Sequence, residues 1–195
     1  MLNEHRHVCA FFNSREDEYR VTLPFITEGL ARGERACHVT GAGRRDDHLR
    51  RLNAANIDTA ALQRTGQLEL YDAHDAYLGD AGQFDPDVCL ARLEENAASG
   101  GPLTRYIAHM DWALEDRPGV ERLAEYEMRA NALWPKYRDA VICCYDLAKF
   151  GGDLVIDILR THPVVIIGGL LHENPFFAAT DELLEELRTR RGVAA

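Results

Sequence analysis

Apolar runs and amphipathic stretches alternate along the whole chain. His7–Phe12 (HVCAFF) is a short apolar run that predicts a buried strand. Glu16–Arg32 places Val21, Phe25, Ile26 and Leu30 at helical spacing, which predicts a helix interrupted at Pro24 and ended at Gly33. Ala36–Thr40 reads as a second strand, Arg45–Ile57 as a polar amphipathic helix, and Leu68–Asp72 (LELYD) as a third strand. Asp85–Ser99 predicts a helix opened by Asp-Pro and closed by Gly100-Gly101-Pro102. Thr104–Trp112 reads as a strand ending in Asp111, Gly119–Leu133 as a helix, and Ala140–Asp146 (AVICCYD) as a nearly all-apolar strand. A helix over Gly152–Thr161, a strand over Val164–Leu171 and a charged helix over Asp181–Arg190 complete the pattern. AVICCY and VVIIGGLL do not alternate, as expected of strands covered on both faces. The expected fold is α/β, a three-layer sandwich with a mostly parallel central sheet.

Residues 28–41 (EGLARGERACHVTG) resemble the approach to a phosphate loop, yet Ala42-Gly43-Arg44-Arg45-Asp46-Asp47 follows. Neither the G-x-x-x-x-G spacing nor the Lys-Ser/Thr pair is present. Two carboxylates where a Lys and a hydroxyl should stand would repel a triphosphate.

With 195 residues, 46% of them hydrophobic, the chain suits one domain over residues 1–195, with its core at about 7–177 and a terminal helix at 181–190. A formal charge of −10 argues against direct contact with nucleic acid or an anionic membrane. The polar start MLNEHRH and the lack of a long apolar run imply a cytoplasmic location. Cys9, Cys37, Cys89, Cys143 and Cys144 then read as buried thiols or ligands rather than disulfides.

Five blocks in order, HVCAFFNSREDE…PFITEGLARGERACHV, RYIAHMDW, YEMRANALW, VICCYDLAKF and DILRTHPVVIIGG…NPFF, resemble the MEDS family. These are sensory domains named for methanogens, methylotrophs and a regulator of dichloromethane metabolism. The resemblance runs from about His7 to Phe177 and implies a RecA/KaiC-like fold that lacks the phosphate loop. It further implies a non-catalytic sensor of small hydrocarbon derivatives in prokaryotic signalling. The implied partners are a small organic ligand and a signalling protein of kinase, anti-sigma or transcription-regulator type. By analogy alone, edge-to-edge association makes a homodimer an option.

Ligands of open parallel sheets bind beyond the carboxyl ends of the strands. That rule gathers Phe12, Thr40, Asp72, Asp111, Trp112, Tyr145 and Asp146 as candidate ligand-binding residues, with His7, Cys9 and His162 added. Several have a plainer reading. Asp72 and Asp146 could cap the elements that follow, and His162 could bond the carbonyls ending a helix. Asp111 occupies the place of a Walker B carboxylate. His7 and Cys9 share a strand face, and with Cys37 and Cys143 or Cys144 they could form a soft-metal cluster or simply pack. A metal- or haem-dependent sensor is therefore the alternative, although no metal, cofactor or catalytic residue is assigned. A second alternative is a residual nucleotide-binding, ATPase-like protein. Glu127 lies in a block that resembles the family, yet a salt bridge to an arginine such as Arg105 or Arg129 explains it as easily. His48 with Arg44, Arg45, Arg50 and Arg51 forms a basic patch, either a solvated helix face or a docking surface.

Overall fold

The computed structural model describes residues 6–79, 81–98, 100–178 and 180–190. In chain order its elements are β1 (His7–Phe12), α1 (Arg15–Ala31), β2 (Arg35–Thr40), α2 (Arg45–Ala54), α3 (Thr59–Arg64), β3 (Leu68–Asp72) and α4 (Pro86–Ala98). They continue with β4 (Thr104–His109), α5 (Leu123–Leu133), β5 (Ala140–Asp146), α6 (Gly152–Thr161), β6 (Val164–Ile167), β7 (Leu170–Glu173) and α7 (Thr180–Arg190). The strands form one sheet in the order β3-β2-β4-β5-β1-β6-β7, parallel except for the β6–β7 pair.

Strand alternation divides the core in two. Val8, Ala10 and Phe12 of β1 join Ile107, Ile142, Cys144 and Ile166 on one face, beneath Ile26 of α1 and Leu52 of α2. Cys9 and Phe11 join Ala108, Val141, Cys143 and Val165 on the other, beneath residues of α4, α5, α6 and α7. All six residues of β1 are buried, which is why its sequence carries no polar alternation.

Several predicted boundaries shift for identifiable reasons. α1 is continuous through Pro24, because the proline lies on the exposed side and the carbonyl it frees can be hydrated. Ser14 caps α1 by accepting from Asp17 N at 3.2 Å. The helix expected over residues 45–57 splits, because Asn56 takes a left-handed conformation (φ 63°) and Asp58 caps a new helix, α3. β4 stops at His109, and Met110–Leu114 turns as a 3-10 segment that carries Trp112 back into the core. The strand expected over Val164–Leu171 is a hairpin instead. Gly168 and Gly169 both have positive φ (61° and 80°), and this reverses the chain in two residues.

From β1 the chain crosses to β2 on one side; from β5 it crosses to β6 on the other. The carboxyl ends of β1 and β5 therefore flank the topological switch point, the usual ligand position in such sheets. This corrects the expected site of the phosphate loop, which belongs after β1 and not after β2. There only Asn13 separates Phe12 from the cap Ser14, too little chain to wrap a phosphate.

Candidate functional site

The switch-point crevice is lined by Phe12, Ser14, Glu18, Arg44, His109, Asp111, Cys144, Tyr145 and Asp146, and its free volume is about 10 Å³. Side chains fill it. The Asp111 carboxylate sits 2.7 Å from Arg44 and 2.7 Å from Lys149, and Lys149 also reaches Asp146 at 3.4 Å. Below them Glu18 accepts from His109 at 2.6 Å, and the other ring nitrogen of His109 donates to Val39 O at 2.9 Å. Burial raises the Glu18 carboxyl, but His109 and Arg15 outweigh it and hold the group below its ordinary range.

Beside this seal lies a buried histidine relay. Tyr19 Oη meets His48 Nδ1 at 2.5 Å, and His48 Nε2 meets His38 Nδ1 at 2.8 Å. His38 Nε2 is buried without a partner. Desolvation holds His48 down at about 3 and pushes His38 well below its usual value. The basic patch expected around His48 is thus corrected. Arg44 is engaged by Asp111, Arg51 by Asp47 and Glu16, and Arg45 donates to Leu70 O.

A second polar group is enclosed under the opposite face of the sheet. Glu127, fully buried on α5, lies 3.1 Å from His7 Nε2, 3.5 Å from His162 Nε2 and 3.8 Å from Cys143 Sγ, and accepts from Tyr145 Oη at 2.5 Å. Burial alone would raise its carboxyl, yet the two imidazoles drive it far down. The salt-bridge reading of Glu127, with Arg105 or Arg129, is therefore not what the fold adopts. Arg105 goes to Glu34 at 2.5 Å and Phe25 O on the α1 side of the sheet, and Arg129 goes to Asp87 at 2.6 Å. The cysteine set also divides, with Cys37 lining a separate pocket near β3 while Cys143 joins His7. Burial pushes all five thiols up, Cys89 to about 11 and Cys37 to about 12, which disfavours nucleophilic thiolates.

An open pocket of about 280 Å³ lies between β2, β4 and α4. Tyr71, Tyr77, Tyr106 and Tyr126 surround it, with Val39, Leu93, Cys37 and Cys89 between them and Arg92 and Glu95 also in its lining. Sequence reasoning missed this pocket. Its tyrosines are scattered over four elements, and only the fold gathers them.

The predicted site residues are dispersed accordingly. Phe12, Asp111, Tyr145 and Asp146 line the sealed crevice, while His7 and His162 belong to the Glu127 group. Cys9 is a buried core residue, and Thr40 Oγ1 donates to Tyr71 O at 3.4 Å. Asp72 accepts from His74 N at 2.9 Å and Asp146 from Ala148 N at 3.0 Å; both are Asx turns that close the strand ends, and neither carboxylate caps the helix that follows. Trp112 is buried and stacks on Tyr77, with ring centroids 4.5 Å apart.

Residues 6–163 match the family described as MEDS, the MEthanogen/methylotroph, DcmR Sensory domain. The chain belongs to the MEDS family. It is 25% identical over 164 residues to the transcriptional repressor DcmR of Methylorubrum extorquens (strain DSM 6343 / CIP 106787 / DM4). That match covers 81% of this chain and 58% of the repressor, so this MEDS chain spans less than two thirds of its relative. Among solved structures it resembles the KaiC-like protein PH0186 of Pyrococcus horikoshii OT3, with a TM-score of 0.60, 14% identity, and 83% and 70% of the two chains covered. It also resembles the flagellar accessory protein FlaH of Methanocaldococcus jannaschii (TM-score 0.56, 14% identity, 86% and 76% covered). The MEDS fold is thus KaiC/RecA-like, as the sheet order indicates. Family and relative together support a sensory, regulatory role. Among the described residues no helix is long and apolar enough to cross a membrane.

Proposed function

We propose that this chain is a non-catalytic cytoplasmic sensor. It binds a small hydrocarbon derivative in the tyrosine-lined pocket and passes the event to a regulator-type partner. One observation carries the reading: the switch point is closed by the Arg44–Asp111–Lys149 ion pairs, while a tyrosine-lined pocket with a polar rim stays open. About 280 Å³ suits a compact organic molecule held by apolar contacts and one or two hydroxyls. The two sites share a mechanical link. Tyr77 lines the pocket and stacks on Trp112, and Trp112 adjoins Asp111 in the Met110–Leu114 turn. A ligand that displaces Tyr77 therefore bears directly on the seal.

The test is a thermal-shift screen of short alcohols, amines, aldehydes and halocarbons, with ATP included, on the native chain and on Leu93→Trp. The larger side chain fills the pocket from the half-buried face of α4. A ligand at a hundred times its dissociation constant stabilises by about 2.7 kcal/mol, and Leu93→Trp should abolish that gain. Stabilisation by ATP, or a ligand response indifferent to Leu93→Trp, would overturn the assignment.

A further inference from the structure

Four side chains from four parts of the fold converge under the sheet. His7 comes from β1, Cys143 from β5, Glu127 from α5, and His162 from the turn between α6 and β6. Each of the four is buried, and His7 Nε2, His162 Nε2, Cys143 Sγ and a Glu127 oxygen lie within 4.8 Å of one another. The individual separations are tighter. His7 Nε2 is 3.1 Å from Glu127 Oε2, 3.3 Å from His162 Nε2 and 3.3 Å from Cys143 Sγ, with His162–Glu127 at 3.5 Å and Cys143–Glu127 at 3.8 Å. A tetrahedral ion bonded at about 2.0–2.3 Å sets its ligands roughly 3.3–3.8 Å apart. Four of the five separations fall in that range, the His7–Glu127 edge is slightly shorter, and the His162–Cys143 edge is no longer than 4.8 Å.

The outer hydrogen bonds decide where the lone pairs point. His7 Nδ1 donates to Asn131 Oδ1 at 3.1 Å, and Asn131 is held in that orientation because its amide nitrogen donates to Thr161 O. His162 Nδ1 lies 3.1 Å from Ile158 O and 2.7 Å from Thr161 Oγ1. The hydroxyl gives its own proton to Ile158 O, which leaves it free to accept from the ring. With Nδ1–H directed outward, a neutral ring at either position turns its Nε2 lone pair inward, whereas a charged ring turns an Nε2–H toward Glu127. Tyr145 donates to the other Glu127 oxygen. With both rings neutral, two imidazole lone pairs and a carboxylate oxygen face one another with a single S–H among them. Such a gathering of acceptors is unfavourable in a dry interior unless a ring proton or a metal cation lies among them. Carbonyl and amide partners on the far ring nitrogens are the arrangement that orients metal-binding histidines.

We propose that His7, Glu127, Cys143 and His162 form a closed, four-coordinate site for a zinc-class divalent ion, which clamps β1, β5, α5 and the α6–β6 turn together. Binding replaces the Cys143 thiol proton, which leaves to solvent, by the metal–sulfur bond. Four protein ligands complete the tetrahedron, so the ion is structural and the site offers no open position for a reactant. The inference is independent of the sensory reading, which concerns another pocket.

The experiment uses the full chain, expressed and purified without chelator and, separately, unfolded and refolded with reductant and Co²⁺ or Zn²⁺ so that burial cannot block entry. The expected result is about one metal per chain by elemental analysis and a thermal midpoint raised by about 5 °C or more with Zn²⁺. Co²⁺ should give the visible bands of tetrahedral coordination and a near-ultraviolet thiolate charge-transfer band. Cys143→Ser should lose that band, Glu127→Gln should bind at least tenfold more weakly, and the half-exposed control His74→Ala should behave as the native chain. Failure of both the native and the refolded protein to take up Co²⁺ or Zn²⁺ overturns the site. A Co²⁺ spectrum unchanged in Cys143→Ser overturns the ligand set.

Discussion

The buried histidine relay should make the protein acid-sensitive well above the range where carboxylates titrate. His48 is held at about 3, against an ordinary 6.5, chiefly by desolvation, with the neighbouring His109 and Arg15 adding to it and Glu18 and Asp47 opposing. Tyr19 of α1 and His38 of β2 complete its surroundings. A depressed histidine binds its proton better in the unfolded chain. Stability is therefore full above about 6.5 and lost as the pH falls towards 3. Moving from pH 7 to pH 5 should cost about 2 kcal/mol from His48 alone, near 1.4 kcal/mol per pH unit once below 6. His38 adds a loss of the same sign. Glu18, whose carboxyl is lowered, contributes only below its ordinary value of 4.5, outside this window. Urea denaturation at pH 7, 6 and 5 measures the slope directly. His48→Gln keeps a polar group facing Tyr19 but removes the titration, so its slope from pH 7 to 5 should be shallower by about 1 kcal/mol per pH unit on average. Equal slopes for the two proteins would refute the reasoning, whatever their absolute stabilities.

Trp112→Ala removes a buried indole stacked between Tyr77 and Phe84, and urea denaturation should show a loss of about 3–5 kcal/mol. Asp111→Ala breaks only ion pairs that are partly exposed. It should cost about 1–2 kcal/mol at low salt and clearly less in 1 M NaCl, where screening also weakens the native pairs. Gly119→Ala should lose about 1–3 kcal/mol in thermal denaturation, because φ is +89° there and a Cβ would collide with the Phe84 carbonyl.

Strands and the helices of the outer layers were legible because their apolar periods are long and consistent, from HVCAFF to AVICCY. Short elements were not. The α3 turn rests on one Asp58 cap, and the β6–β7 reversal on two glycines that a hydrophobic count runs straight through. Individual strand-end residues were placed correctly in space, yet their partners were invisible. Asp111 met Arg44 and Lys149 rather than a vacant crevice, because a cation 67 residues upstream in sequence lies on the same strand edge only once β2 and β4 pair. Glu127 is the sharper case. In YEMRAN it looks like any helix-surface glutamate, and α5 buries nearly all of its circumference, so the usual rule for charged helix positions fails there.

The energetics of the sealed crevice suit a switch better than a permanent wall. Asp111, Arg44 and Lys149 keep a sixth to a third of their side-chain surface in solvent, so each pair is worth on the order of 1 kcal/mol or less. Opening the seal then costs no more than about 2 kcal/mol, whereas a ligand well above its dissociation constant supplies about 2.7 kcal/mol. A ligand shifts a conformational equilibrium only by its difference in affinity for the two states. The Tyr77–Trp112 stack is where that difference can arise, since it joins the pocket wall to the turn carrying Asp111. A seal worth 5 kcal/mol or more would need a differential affinity of about 10⁴-fold to move it decisively. Ion pairs left partly in water keep the threshold within reach of a small organic molecule.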